Sequence, residues 1–482
     1  MPTLFTSKFT RLLQTFTPEE LASFERWLQS PWCNSNKNLP RLLARLKPYH
    51  PDFSDQKLSK EKLFRQMLPD GKFSDRRMNN LLSEAYLAAE RFLAFQCFAG
   101  EDGLQQSLLA QELLERHLDD WFFRIAQQEI KRLEAKETSD WRDHLELLRM
   151  LRRVYQHPDP APRLESGQGM IAKMNEQIDL LYLLEKAALI NEMITRNRLF
   201  KTEDHDVAKA LQKWHTTAEG IHHPGIDLYR LRFSYGGELS LSRYQELQAA
   251  FMENLAALNE RDKKIHLLSL INDAKQLIKS GSLDITECLP LYQLGLTTGA
   301  ILNNGKLSAN TLMTIVTASN TKGTFDFSIR FVEDYSQHLN ENERDDCVHW
   351  AGAHTAYWQK DQEACLAVLQ GYHFHSPDFQ LVGRVLAAQA YFDLHLRDDS
   401  YRSLLFDYLD AFEKWLGREK LWSKTNTGSF LRFVQICRSL ARFYAGTGQD
   451  VKKTGRLLED ERNIQALNWL KQKKEEVLRL KS

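Results

Sequence analysis

Glycine and proline are scarce in this chain, 22 and 13 among 482 residues, well under the roughly 12% the two contribute to an average protein. That shortage excludes collagen-like and low-complexity chains and argues against a turn-dense all-β fold. Net charge is absent as well: 64 basic residues balance 64 acidic ones, so no global field exists to hold nucleic acid or an anionic membrane. Long apolar runs are missing. The most apolar window, Leu180 to Ile190, is broken by Glu185 and Lys186 and falls far short of the ~18 residues that suggest a membrane span. The opening residues lack the basic segment, apolar core and small-residue cleavage site of a secretory signal, so export by that route is not expected. Cys33, Cys97, Cys288, Cys347, Cys365 and Cys437 form no short-spaced pair, as expected of reduced thiols in a cytoplasmic protein.

What is present is helical punctuation. Thr17-Pro18-Glu19-Glu20 combines a capping hydroxyl, proline at the first helical position and a glutamate able to return a hydrogen bond. Ser242 with Gln245 and Asn340 with Glu343 offer similar starts, and Ser74 and Asp361 are simple caps. Tyr244, Leu247, Phe251, Leu255 and Leu258 recur at helical spacing, which buries one face. No segment alternates with period two, and Asn304-Gly305 sits between helical patterns. The fold class is therefore all-α.

Residues 1–100 read as an N-terminal module of short helices over 6–14, 18–29, 38–47, 59–68 and 75–97, with connecting helices over 101–157. Proline at 158, 160 and 162 and the glycines at 167 and 169 predict a linker over 158–169, followed by a long helix from Met170 to about Arg196. Residues 170–482 then form a helical repeat domain. Its clearest sign is Ala356-Tyr357 in "AHTAYWQKDQEACLAVL" and Ala390-Tyr391 in "AAQAYFDLHLRDDSYRSLL", 34 residues apart. Thirty-four is the tetratricopeptide period. Small residues at 353, 356, 387 and 390 let paired helices approach, while the tyrosines fill the next gap. The second helices are offset and no proline closes either repeat, so the expectation is a TPR-like α-solenoid of antiparallel helix pairs.

The string "LQSPWCNSNKNLPRLLARLKPYHPDFSDQKLSKEKLFRQMLP", with "LYQLGLTTGAILNNGKLSANTLMTIVTAS" and Phe327 to Tyr335, resembles a group of TPR-like helical-repeat proteins from Bacteroidota. The resemblance spans nearly the whole chain. It implies a bacterial cytosolic protein and carries over no catalytic residue.

Motifs with chemical meaning are few. Gly167-x-Gly169-x-x-Ala172 matches a dinucleotide-binding pattern, but the proline-rich approach cannot supply the buried strand that the pattern needs. Gly299 to Ser308 fails the phosphate-loop pattern in spacing and at its hydroxyl position. His373-Phe374-His375 offers two imidazoles with no further ligand cluster beside them, so Phe374 reads as an apolar anchor flanked by polar loop residues. Glu219-x-x-His222 stands alone where a di-iron bundle needs two such pairs. No cofactor is expected, and the chain reads as non-catalytic.

Two binding readings remain. Trp350, Tyr357, Trp358, Trp415 and Trp422 crowd the repeat region, and tryptophan anchors many interfaces. Trp358 and Trp422 lie beside charged turns and are expected to be the exposed ones, with His349 and Arg384 adding polar contacts. That predicts a cytoplasmic scaffold holding a protein or peptide partner in a concave groove. The alternative is a DNA- or RNA-associated regulator. The first hundred residues carry 15 basic against 10 acidic residues, and Lys60, Lys62, Arg76 and Arg77 bracket two helices that meet nucleic acid in that reading. The basic tail from Lys471 to Ser482 reads as a capping helix with a wet outer face.

Overall fold

The computed structural model describes residues 7–53, 59–67, 69, 71–159, 161–199, 206–234, 239–418, 424–447 and 464–481. Their regular elements are all helices, and the one β-type pairing among them is an isolated bridge between Asn303 and Lys306. It encloses Asn304 and Gly305, both with positive φ (51° and 74°), the backbone of a two-residue hairpin turn. The chain divides into two compact units, Met1–Lys136 with Trp141–Ile178, and Glu137–Asp140 with Asp179–Ser482.

In the first unit, α1 (Lys8–Leu13), α2 (Pro18–Gln29), α3 (Asn38–Leu46) and α4 (Lys60–Met67) pack around the 25-residue α5 (Asp75–Ala99). The Thr17 capping box forms as expected, with Glu20 N–H donating to Thr17 Oγ1 at 3.1 Å and Thr17 N–H to Glu20 Oε2 at 2.7 Å. Phe24 stands at the centre of the module, its ring 5.7 Å from Phe16 and 5.2 Å from Phe92. Three further helices, α6 (Asp102–Glu115), α7 (Asp119–Glu134) and α8 (Trp141–Tyr155), close on Ala110, Phe122, Ala126 and Met150.

The next helix, α9 (Ala161–Leu199), corrects the expected linker: residues 161–169 continue as helix, and the start expected at Met170 lies nine residues earlier. Pro162 falls in the first turn, where the amides have no intrahelical partner to lose. The glycine pair of the dinucleotide-like pattern thus lies inside a helix, without a preceding strand. The division between the two units falls within α9.

In the second unit the C-terminal part of α9 packs with α10 (Val207–Ala218) and α11 (Pro224–Ser234) around Trp214, whose indole N–H donates to the Leu183 carbonyl at 2.9 Å. Then follow α12 (Leu241–Asn254), α13 (Glu260–Lys279), α14 (Leu289–Thr297), α15 (Ala309–Thr321) and α16 (Phe325–Tyr335). The start of α12 is capped by Ser240 and not by Ser242. The last helices are α17 (Glu341–Trp358), α18 (Gln362–Gln370), α19 (Pro377–Arg397), α20 (Arg402–Arg418), α21 (Lys424–Tyr444) and α22 (Leu467–Lys481). From α17 to α22 each helix packs on the next along the chain, and α17 also meets α15 and α19.

Buried polar pairs tie these helices at intervals close to the 34-residue spacing. The Asn320 amide approaches His354 Nδ1 at 2.9 Å across 34 residues, linking α15 to α17. Tyr357 O–H donates to Asp393 Oδ2 at 2.7 Å across 36, linking α17 to α19. A third layer comes from α22, where Trp469 N–H donates to Tyr357 Oη at 2.7 Å and Lys473 Nζ lies 2.6 Å from Asp393 Oδ1. The basic tail is therefore a helix with Lys473 turned inward onto a buried carboxylate. No helix among the described residues is long and apolar enough to cross a membrane.

Candidate functional site

Of the partner-binding residues named from the sequence, Arg384 and His349 border one region of α17 to α20. Asp346 organises it. Its buried carboxylate, on α17, accepts the backbone N–H groups of His375 at 3.1 Å and Ser376 at 2.7 Å and the hydroxyl of Tyr372 at 2.9 Å. These bonds pin the 371–376 loop to α17 just ahead of the start of α19. Burial alone would raise the Asp346 carboxyl, but the donors outweigh it and hold it below its usual range. Burial and the adjacent Asp346 push the Tyr372 hydroxyl up to about 12, so it stays protonated and donates. His349 lies flat on the Tyr372 ring, centroids 3.7 Å apart and 9° from parallel.

Beside this platform opens a pocket of about 230 Å³. Leu369, Phe374 and Ala387 form its apolar wall, and Arg384, Tyr391, Tyr408, Gln370, Gln380 and His373 are among its polar lining residues. Phe374 reaches this position because residue 383 is glycine: a Cβ there would stand 3.0 Å from the Phe374 ring. The anchor reading of Phe374 holds, since it is 7% exposed between two exposed histidines. Among the described residues no group of three or more His, Cys, Asp or Glu side chains is placed to hold a metal. Arg384 carries its guanidinium 4.6 Å from the ring centroid of Trp415, a cation–π geometry.

Trp358 is half-buried, not the exposed residue expected, because its indole N–H donates to His354 Nε2 at 3.2 Å and its ring joins the cluster around Tyr357 and Leu366. Burial pushes His354 down to about 3, so this imidazole is neutral. Trp422 lies outside the described residues.

In the first unit the four basic residues do not act alike. Lys60 is half-buried, 2.7 Å from Asn79 Oδ1 and 3.5 Å from Asp75. Arg77 lies 5.7 Å from the Phe64 ring centroid, while Lys62 and Arg76 are exposed.

A residue not singled out from the sequence is Trp32, 95% exposed in the loop between α2 and α3. That loop is locked by Asn34, whose Nδ2 donates to the carbonyls of Leu28 and Asn36, and by Asn36, whose Nδ2 donates to Glu84 at 2.8 Å. The run Pro31-Trp32-Cys33-Asn34-Ser35-Asn36 was the available signal: Asn side chains that close their own backbone turns hold a neighbouring residue outward.

Comparison with protein-family models, with curated proteins and with solved structures found no match to this chain.

Proposed function

We propose that this chain is a non-catalytic, TPR-like helical-repeat scaffold of the cytoplasm that holds a protein partner against helices α17 to α20. The observation that carries this reading is the Arg384 pocket. Its walls are contributed by successive helices, and its one arginine has no carboxylate partner among the described residues. Stacked helix pairs leave extended surfaces on which such pockets line up, which is why the architecture so often serves recognition. The succession of helix-to-next-helix packing and the polar ties near 34 residues support the repeat reading.

The reading as a DNA- or RNA-associated regulator, with Lys60, Lys62, Arg76 and Arg77 as contacts, is weaker. Lys60 and Arg77 already have partners inside their own unit. Affinity capture from lysate of the source organism, with and without nuclease, separates the two. Under the scaffold reading a stoichiometric protein survives nuclease and is lost with Arg384→Glu. Recovery of nucleic acid alone, lost with a Lys62→Glu/Arg76→Glu double variant, would replace it with the regulator.

A further inference from the structure

We infer that the Arg384 pocket takes the side-chain carboxylate of a glutamate in the partner, an assignment that rests on the scaffold reading above. The first ground is charge. No Asp or Glu lines the pocket, and among the described residues none lies within ion-pair distance of Arg384. Its Nε is buried without a hydrogen-bond partner. That nitrogen is out of a ligand's reach, so an anion in the pocket meets the terminal nitrogens of the guanidinium and supplies the countercharge it lacks.

The second ground is the tyrosine. Gln370 Nε2 donates to Tyr391 Oη at 2.9 Å, so the Tyr391 hydroxyl is already an acceptor and its own proton is directed elsewhere. It lines the same pocket as Arg384. One carboxylate with two oxygens can accept from both.

The third ground is size. About 230 Å³ is below the roughly 300–1,000 Å³ of most small-molecule sites and suffices for one partner side chain whose main chain stays at the mouth. The carboxylate must then stand at the end of that side chain. Glutamate meets this with two methylenes that cross the wall of Leu369, Phe374 and Ala387.

The test uses the full chain labelled with ¹⁵N-arginine. The probe is N-acetyl-L-glutamate α-methylamide, compared with its glutamine analogue. The Arg384 Nε–H signal, assigned by its loss in Arg384→Lys, should shift saturably with the glutamate probe, and the glutamine analogue should bind at least about tenfold more weakly. Tyr391→Phe, which keeps the ring, should weaken the glutamate probe severalfold and leave the glutamine analogue unchanged. Equal shifts from both probes, or a shift that never saturates, overturn the carboxylate assignment. If that happens while Arg384→Glu still abolishes protein capture, the scaffold reading stands and only the ligand class is wrong. A saturable, glutamate-selective shift with no protein captured by the wild type sinks the scaffold reading instead.

Discussion

The Tyr357 hydroxyl sits between Asp393 and Trp469, donating to the first at 2.7 Å and accepting from the second at 2.7 Å. One oxygen thereby joins three helices. Asp393, almost fully buried, is matched on its other side by Lys473, and that cation is shared with Glu476 at 2.7 Å. Burial alone would depress the Lys473 ammonium, but Asp393 and Glu476 outweigh it and raise it.

Removing this hydroxyl leaves a buried N–H and a buried carboxylate oxygen unmatched. Tyr357→Phe should cost about 1–3 kcal/mol in urea unfolding. Trp469→Phe removes one of the same bonds, so the double variant should cost measurably less than the sum of the two. Strict additivity would show that the Trp469–Tyr357 bond contributes nothing to stability.

Two histidines make stability depend on pH. Burial pushes both His266 and His354 down to about 3, whereas an unfolded histidine titrates near 6.5. Between those values the unfolded chain binds more protons, so the contribution is complete above about pH 6.5 and is lost as pH falls toward 3. Each histidine should contribute about 1.4 kcal/mol per pH unit inside that window. Urea midpoints at pH 7.5, 6.0 and 5.0 measure the slope, and His354→Gln should reduce it.

Trp32 should behave as a solvent-exposed ring on a rigid loop. Trp32→Ser is expected to change stability by no more than about 0.5 kcal/mol, with acrylamide quenching reduced. Asn34→Ala, which unties the same loop, should cost about 1–2 kcal/mol. A large loss from Trp32→Ser would mean that the ring is covered in solution.

At the Asn304-Gly305 turn the positive φ of 74° favours glycine. Gly305→Ala meets no atom within 4 Å, so its cost is conformational alone, about 1 kcal/mol. Thermal unfolding of the variant reads it directly.

Local signals were legible where a helix start depends on a few neighbouring residues. Thr17, Ser74 and Asp361 each cap as their spacing implies. Pro162 misled because proline breaks a helix interior but suits a first turn, and the sequence does not distinguish the two positions. Ser240 and Ser242 are both sound caps by type, and the chain uses the earlier one. Arg384 was legible as a binding candidate, whereas its Trp415 partner and the Asp346 anchor depend on helices meeting in space. The polar ties had a sequence signal that went unread. Asn320 and His354 stand 34 residues apart, the separation of the two Ala-Tyr pairs, and that offset can be applied to polar residues as well.

The tie between Trp469 and Tyr357 spans 112 residues, and this has a consequence for how the protein is made. At roughly 5–20 residues per second of synthesis, the ribosome needs about 6–22 s after Tyr357 before Trp469 exists. From the synthesis of Asp393 until α22 is made, that carboxylate has Tyr357 within its sequence reach but neither Trp469 nor Lys473. The helices from α17 to α21 therefore reach the tunnel exit with a carboxylate still lacking its countercharge, and α22 completes that cluster when it arrives. Nascent chains stalled before residue 467 should accordingly expose protease sites in α17 to α21 that chains stalled beyond α22 protect.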